Sequence, residues 1–354
     1  MTAGSESRKR DHLALCASGD VAFKDKTTLL EQVHLVHRAL PELSVDEIDL
    51  SASFAGARLK APLWIGAMTG GAAGARELNG ELARIAAELG IGLCLGSMRP
   101  MLDDPSRGRD FEVRGAAGDA LVLGNIGATA IAAHGPSKIL DALDRIGANG
   151  VGVHLNPMME LIQPGGDRDF RGALDGIAHL VDAARGRFTV FVKETGCGLS
   201  WQDGEALKRV GVKIVEVAGA GGTSWVGVET LRAQGRDQEL GRLFWDWGVP
   251  TAVSTAWMVD LGLEVVASGG VRTGLDAAKA LALGASLVGI AAPLVQARAA
   301  GGVDAMRSLL EDVVAGLRYA MLGCGAPDVA ALRHAPRVLG QELAGWIESG
   351  WSPR

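Results

Sequence analysis

The sequence predicts an α/β protein built as a (β/α)8 TIM barrel with an N-terminal arm, and three observations carry that expectation. Eight short apolar runs recur along the chain, each closing on glycine or a small polar residue. Helical patterns separate them, and eight strand–helix pulses of this size close into a parallel barrel. The apolar mass is Ala, Leu, Val and Ile, with only 5% aromatic residues, which suits strands buried on both faces by helices. The length of 354 residues also suits a barrel with insertions, a class spanning roughly 200 to over 400 residues.

In order, the runs are 63–67 (LWIGA), 91–95 (IGLCL), 120–123 (ALVL), 150–153 (GVGV), 189–192 (TVFV), 214–217 (IVEV), 264–267 (EVVA) and 287–290 (LVGI). Between them, ELNGELARIAAELG and SKILDALDRIGANG carry apolar residues at i, i+3/i+4 spacing and stop at glycine, a usual helix terminus. The stretch VPTAVSTAWMV from Val249 reads as the helix after strand six, with Pro250 in its first turn. Residues 1–60 are expected to form an arm on the barrel, 61–335 the barrel and 336–354 a C-terminal tail. The segment from Gly222 to about Gly248 reads as a long loop, of the kind that acts as a lid or binding element at a barrel's strand ends.

A formal charge of -6 argues against a nucleic-acid surface, which would be basic, so an anionic ligand must be met by local cations. Cys16, Cys94, Cys197 and Cys324 are widely spaced and read as reduced thiols rather than a disulfide or zinc framework. The first residues, MTAGSESRKRDHLAL, hold no apolar run behind their basic ones, so no secretory signal is expected. No run approaches the roughly 18 apolar residues of a membrane helix. A cytoplasmic enzyme with no membrane partner is the expectation.

The unit ASGGVRTGLDAAKALALGASLVGIAAPL is the most specific signal. Strand seven ends in Gly269-Gly270, a helix follows from about Leu275, and strand eight ends in Gly289 to Ala292. Glycines there let backbone N–H groups approach an anion, and the helix N-terminus adds a favourable dipole. A tight turn alone would also use such glycines, but it needs neither two of these turns nor Arg272 between them. The other strand ends are polar as well. They read Met68-Thr69-Gly70-Gly71, Gly96-Ser97-Met98-Arg99, Gly124-Asn125-Ile126-Gly127, His154-Leu155-Asn156, Lys193-Glu194-Thr195 and Gly219 to Thr223. One Ser or Asn at a strand end is most simply a helix cap; polar groups at all of them point to a ligand face. Lys193 follows an apolar strand, and a buried ammonium needs an anion or acceptor, whether a ligand or a salt bridge to Glu194 or Glu216. Glu160 is a candidate Mg2+ ligand beside phosphates, or a solvated first-turn residue. His12 on its own reads as a surface histidine.

Taken together, SESRKRDHL, AMTGG, LGSMR, NIGA, HLNPMMELIQPGGDRDF, VKETG, VAGAGGTSW and ASGGVRTGLDAAKALALGA resemble the type 2 isopentenyl-diphosphate isomerases, over nearly the whole chain. That resemblance implies an FMN-dependent barrel interconverting isopentenyl and dimethylallyl diphosphate, with Mg2+, flavin in its reduced form, NAD(P)H as reductant and a homo-oligomer of four or more copies. Carried onto this sequence, it implies FMN against Met68, Thr69, Gly70, Ser97, Asn125, Lys193 and Thr223. The FMN phosphate falls on Gly270, Val271, Arg272, Ala291 and Ala292. Arg8, Lys9 and Arg99 meet the diphosphate, His154 and Asn156 line the reacting site beside Met159, and Glu160 holds Mg2+. Two departures stand out, Met159 and Met98 at positions where the family carries glutamine, and a third, milder one is Pro164-Gly165-Gly166 in place of Pro-Glu-Gly. A thioether neither donates nor orients as an amide does, so a divergent FMN enzyme acting on another isoprenoid or phosphorylated substrate is the alternative. Hydroxy-acid oxidation fits less well, because residues 218–222 hold no histidine.

Overall fold

Every one of the eight apolar runs forms a strand, and the strands close in chain order. They are β1 (Leu63–Ile65), β2 (Gly92–Cys94), β3 (Val122–Gly127), β4 (Gly150–His154), β5 (Thr189–Lys193), β6 (Ile214–Glu216), β7 (Glu264–Ala267) and β8 (Leu287–Ile290). Each pairs parallel with its neighbours, and β8 returns to β1 through Val288 to Ile290 against Leu63 to Ile65. The computed structural model describes residues 3–68, 70–71 and 74–349. None of their helices is long and apolar enough to cross a membrane.

The alternation of a strand sorts the side chains into two sets. Outward residues such as Leu63, Ile65, Val122, Val151, Val215 and Val288 join the helices in one large buried cluster. Inward residues Trp64, Cys94, Leu123, Phe191, Ile214, Val266 and Leu287 form a second cluster, together with Phe54 and Leu59. Those last two come from an antiparallel hairpin, Ala52–Phe54 with Ala57–Leu59, which stops the barrel at its strand starts. Phe54 meets Trp64 edge-on at 5.6 Å and Trp64 meets Phe191 at 5.1 Å, within the range of favourable aromatic pairs.

The two clearest helical patterns form Ala75–Leu89 and Pro136–Ile146, each ended by a left-handed glycine, Gly90 and Gly147. Three boundaries differ from the sequence reading. Ala120 and Leu121 precede β3, which instead runs on to Gly127. Pro250 caps the helix Thr251–Asp260 from outside rather than sitting in its first turn. Residues 222–248 are not a loop: they hold the helices Trp225–Arg232 and Gly235–Leu243. Ser224 starts the first of these, its Oγ accepting from Gly227 N at 2.9 Å and donating to Trp245 O at 2.6 Å. The segment before the barrel opens with a helix, Ala3–Ser18. Its strand Val33–Leu35 pairs antiparallel with Arg337–Leu339 near the other end of the chain.

Candidate active site

The strand ends of β1 to β8, the helix Ala3–Ser18 and the loops after β4 and β6 surround one cavity of about 520 Å3, a size that holds a cofactor-scale ligand. Met68, Gly70, Ser97, Asn125, Lys193, Thr223, Gly270, Val271, Arg272, Ala291 and Ala292 all line it. So do Arg8, Lys9, Arg99, His154, Asn156, Met159 and Glu160. Thr69 lies outside the described residues. Met98 corrects the sequence reading, since it is 0% exposed in the core and does not reach the cavity. Its backbone N donates to Asn125 O at 2.7 Å, which turns the side chain inward, and a Cβ on Gly124 would lie 2.7 Å from its sulfur.

Two helix N-termini face one side of the cavity. Thr273 and Asp276 form a capping box on the helix Gly274–Ala282, and Asp276 Oδ2 also accepts from Arg272 N at 3.1 Å. The preceding Gly269 and Gly270 both take positive φ, 94° and 82°, which glycine adopts without strain. Ala292–Cys324 begins directly after β8, with Pro293 in its first turn. Across the floor, Lys193 is 7% exposed and its Nζ donates to Glu194 O at 2.6 Å. It forms no ion pair with Glu194 or Glu216 among the described residues, so the salt-bridge alternative does not hold. Glu194 instead gathers the loop after β5. Its Oε2 accepts the backbone N–H of Thr195, Gly196, Cys197 and Gly198 at 2.5 to 3.1 Å. Burial still pushes this carboxyl up to about 7.

Opposite the glycine turns, Glu160 stands on the short helix Pro157–Ile162. Asn156 Nδ2 reaches its Oε1 at 2.8 Å, while Gln163 Nε2 and Asp167 N reach its Oε2 at 3.0 and 2.9 Å. Asp167 is held in turn by Thr129 Oγ1 at 2.6 Å. The chain folds back so closely that a Cβ on Gly166 would lie 2.1 Å from Glu160 O, hence a glycine there. Met159 Sδ receives a 3.7 Å contact from Asn156 Nδ2. His154 Nδ1 lies 2.6 Å from Asn125 Oδ1; the amide oxygen accepts, so Nδ1 carries the proton. Burial, followed by the Lys193 and Lys9 charges, pushes this imidazole down to about 3, so it stays neutral at physiological pH.

At the mouth, Lys9 Nζ donates to Gly70 O. Its own burial and then the charges of Arg8 and Arg107 push the ammonium down to about 8. Arg107 NH2 donates to Gly71 O at 2.5 Å. The sequence reading missed Arg107, and it placed His12 on the surface. His12 Nε2 lies 2.6 Å from Oε1 of the fully buried Glu229, which Arg232 also meets at 2.6 Å, and the imidazole packs edge-on against Trp225. Nothing local to His12 signals a partner 217 residues away.

Eight parallel strands, a glycine-and-helix anion cradle and a buried lysine on β5 define an FMN-binding barrel. Residues 5–102 and 177–338 match the sequence model of the FMN-dependent dehydrogenases. The chain is 43% identical over 342 residues to the isopentenyl-diphosphate delta-isomerase of Methanothermobacter thermautotrophicus, covering 96% of this chain and 95% of that one. The enzyme of the same name from Pyrococcus furiosus is 38% identical over 354 residues, covering 96% and 88%. This chain belongs to the isopentenyl-diphosphate delta-isomerase family within the FMN-dependent dehydrogenases. Among solved structures, Pediococcus acidilactici lactate oxidase aligns with a TM-score of 0.65 at 15% identity, over 95% of this chain and 93% of the other. A flavocytochrome b2 aligns at 0.65 and 17%, over 91% and 81%; both likenesses concern the fold.

FMN fits the residues present. Lys193 offers N–H groups without a carboxylate partner, and the glycine turns with two helix N-termini suit a phosphate. Mg2+ fits more narrowly. No cluster of three or more His, Cys, Asp or Glu suited to a metal occurs among the described residues. Glu160 therefore suits an ion held by one carboxylate and by phosphate oxygens.

Proposed function

We propose that this protein interconverts isopentenyl diphosphate and dimethylallyl diphosphate on reduced FMN, with Mg2+ and with NAD(P)H as the flavin's reductant. The observation that supports it is that one cavity is lined by two separate sets of cationic and N–H groups. The glycine turns and Lys193 serve a flavin phosphate and ring; Arg8, Lys9 and Arg99 at the mouth serve a second anion, beside Glu160. A protein that only stored FMN would need the first site alone.

When bound, the reduced flavin supplies proton transfer at carbon, and the protein's part is position and charge. Arg8, Lys9 and Arg99 neutralise the diphosphate. Glu160, fixed by Asn156, Gln163 and Asp167, would hold Mg2+, which would supply positive charge to the diphosphate. Neutral His154 orients the reacting end through its free Nε2, and Met159 walls the apolar side. The helix Ala3–Ser18, pinned by His12 and Glu229, covers the site and keeps water out. The absence of histidine from residues 218–222 speaks against oxidation of a hydroxy acid, and Met98, being core, no longer argues for a different substrate.

Incubating the anaerobic, dithionite-reduced holoenzyme with isopentenyl diphosphate and Mg2+ in D2O tests the reading. Deuterium uptake into substrate and formation of dimethylallyl diphosphate are expected. FMN bound, but neither exchange nor product, sinks the isomerase while leaving the flavoprotein.

A further inference from the structure

Beneath the cavity the barrel holds a carboxylate that the reading above does not use. Glu216 ends β6 and points inward by strand alternation, in register with Lys193 on β5. It is 3% exposed. Its Oε1 accepts from Ser268 Oγ at 2.8 Å, whereas its Oε2 has no hydrogen-bond partner among the described residues. No ion pair joins Lys193 to it among the described residues. Such a half-satisfied carboxylate costs stability, and a fold keeps that kind of cost where function needs it.

Its surroundings connect it to the space above. Glu216 itself lines the cavity, as do Gly66, Lys193, Ser268 and Gly289. A Cβ on Gly66 would lie 3.8 Å from Glu216 Oε1, so no side chain at that position separates the carboxylate from the cavity. The groups facing it from neighbouring strands are Lys193, the Ser268 hydroxyl and the Cys94 thiol, whose proton affinity both Glu216 and Lys193 influence. Nearby on β1 the Trp64 indole N–H is also buried without a partner.

We propose that Glu216 places a negative charge under the flavin, opposing Lys193, and so makes the bound cofactor harder to reduce and the reduced ring readier to keep its second proton. The inference rests on FMN occupying this cavity. Two-electron reduction of a flavin takes up either one proton, leaving a ring anion, or two, leaving it neutral. Lys193 alone favours the anion; a carboxylate beside it tilts the balance toward the neutral ring, which retains a proton for transfer to carbon. Burial strengthens both effects, because the interior screens charge far less than water.

The test is the midpoint potential of bound FMN at pH 7, measured by dithionite titration against a reference dye, in wild type, Glu216→Gln and Ser268→Ala. Glu216→Gln removes the charge at nearly constant shape. It should tighten reduced FMN relative to oxidised FMN by about tenfold, a rise of about 30 mV for a two-electron couple. Ser268→Ala strips the carboxylate of its donor and disfavours its charged form, so the potential should rise in the same direction as in Glu216→Gln but by less. A rise expected in both variants keeps the proposal open to refutation even if Glu216→Gln does not fold. FMN bound with an unmoved potential in the folded variants overturns the role of Glu216 alone, whereas failure of wild type to take up FMN overturns the flavin reading beneath it.

Discussion

The interior of the barrel changes character along its axis. At the strand starts, Trp64, Phe191, Leu123 and Leu287 meet Phe54 and Leu59 of the hairpin in a stopper whose side chains are apolar apart from the Trp64 indole N–H. At the strand ends, Asn125, His154, Lys193, Glu216 and Ser268 crowd polar groups into a volume almost as buried. The apolar end is what burial favours, at roughly 25 cal/mol per Å2 removed from water. The polar end works against that gradient, and Glu216 Oε2 there has no hydrogen-bond partner among the described residues. One end of the same sheet thus carries stability and the other carries chemistry, the division expected of barrels.

Substitutions at the two ends should separate along that line. The largest stability effect belongs to Trp64→Ala, which empties the stopper and should cost about 3–5 kcal/mol by denaturant unfolding. A loss under 1 kcal/mol would show that the hairpin end does not carry the fold. Glu160→Gln, at the polar end, should leave unfolding and FMN content nearly unchanged. It should lower Mg2+-dependent turnover by on the order of 10- to 100-fold, as loss of a metal-site group does. Normal turnover at limiting Mg2+ would remove the metal from Glu160.

A further effect is one of pH. The unfolded His154 titrates near its ordinary 6.5, the folded one only at about 3. Below 6.5 the unfolded chain therefore binds a proton that the folded chain refuses. The stability of wild type relative to His154→Gln should fall as pH drops from 6.5 toward 4, at up to about 1.4 kcal/mol per pH unit. Glu194 acts in the opposite sense: its raised carboxyl gives stability below its ordinary range that is lost as pH climbs through about 7. It is present in both proteins and cancels from their difference. A difference flat across that range would mean that His154 titrates normally.

The eight strands and the glycine turn after β7 were legible in the sequence because both are written locally. Eight short apolar runs announced the strands, and Gly269-Gly270 announced a turn of positive φ ahead of a helix. What escaped depends on distant chain or on which way one side chain turns. The helices at Trp225–Arg232 and Gly235–Leu243 were hidden by the glycines that flank them and by the weak apolar pattern of LRAQGRDQELGRL. His12 finds Glu229 only once the barrel has formed. Met98 and Arg99 are neighbours at the start of the helix Arg99–Asp103, yet one side chain enters the core and the other lines the cavity. Glu216 was visible as the one charged residue in IVEV, but its lack of a second partner is a fact of packing that the run does not state.

The arm carries a consequence of its own. Arg8 and Lys9 ride on the same helix as His12, whereas Arg99 belongs to the barrel, so a ligand spanning the mouth touches two pieces of chain that are otherwise joined only by their own contacts. Whatever binds across both must stabilise their union by the free energy it gains from it, since the coupling is reciprocal. If the proposed diphosphate site is right, saturating diphosphate should slow hydrogen exchange along Ala3–Ser18 to the degree that docking of that helix tightens diphosphate. The doorway and the affinity for what enters are one equilibrium.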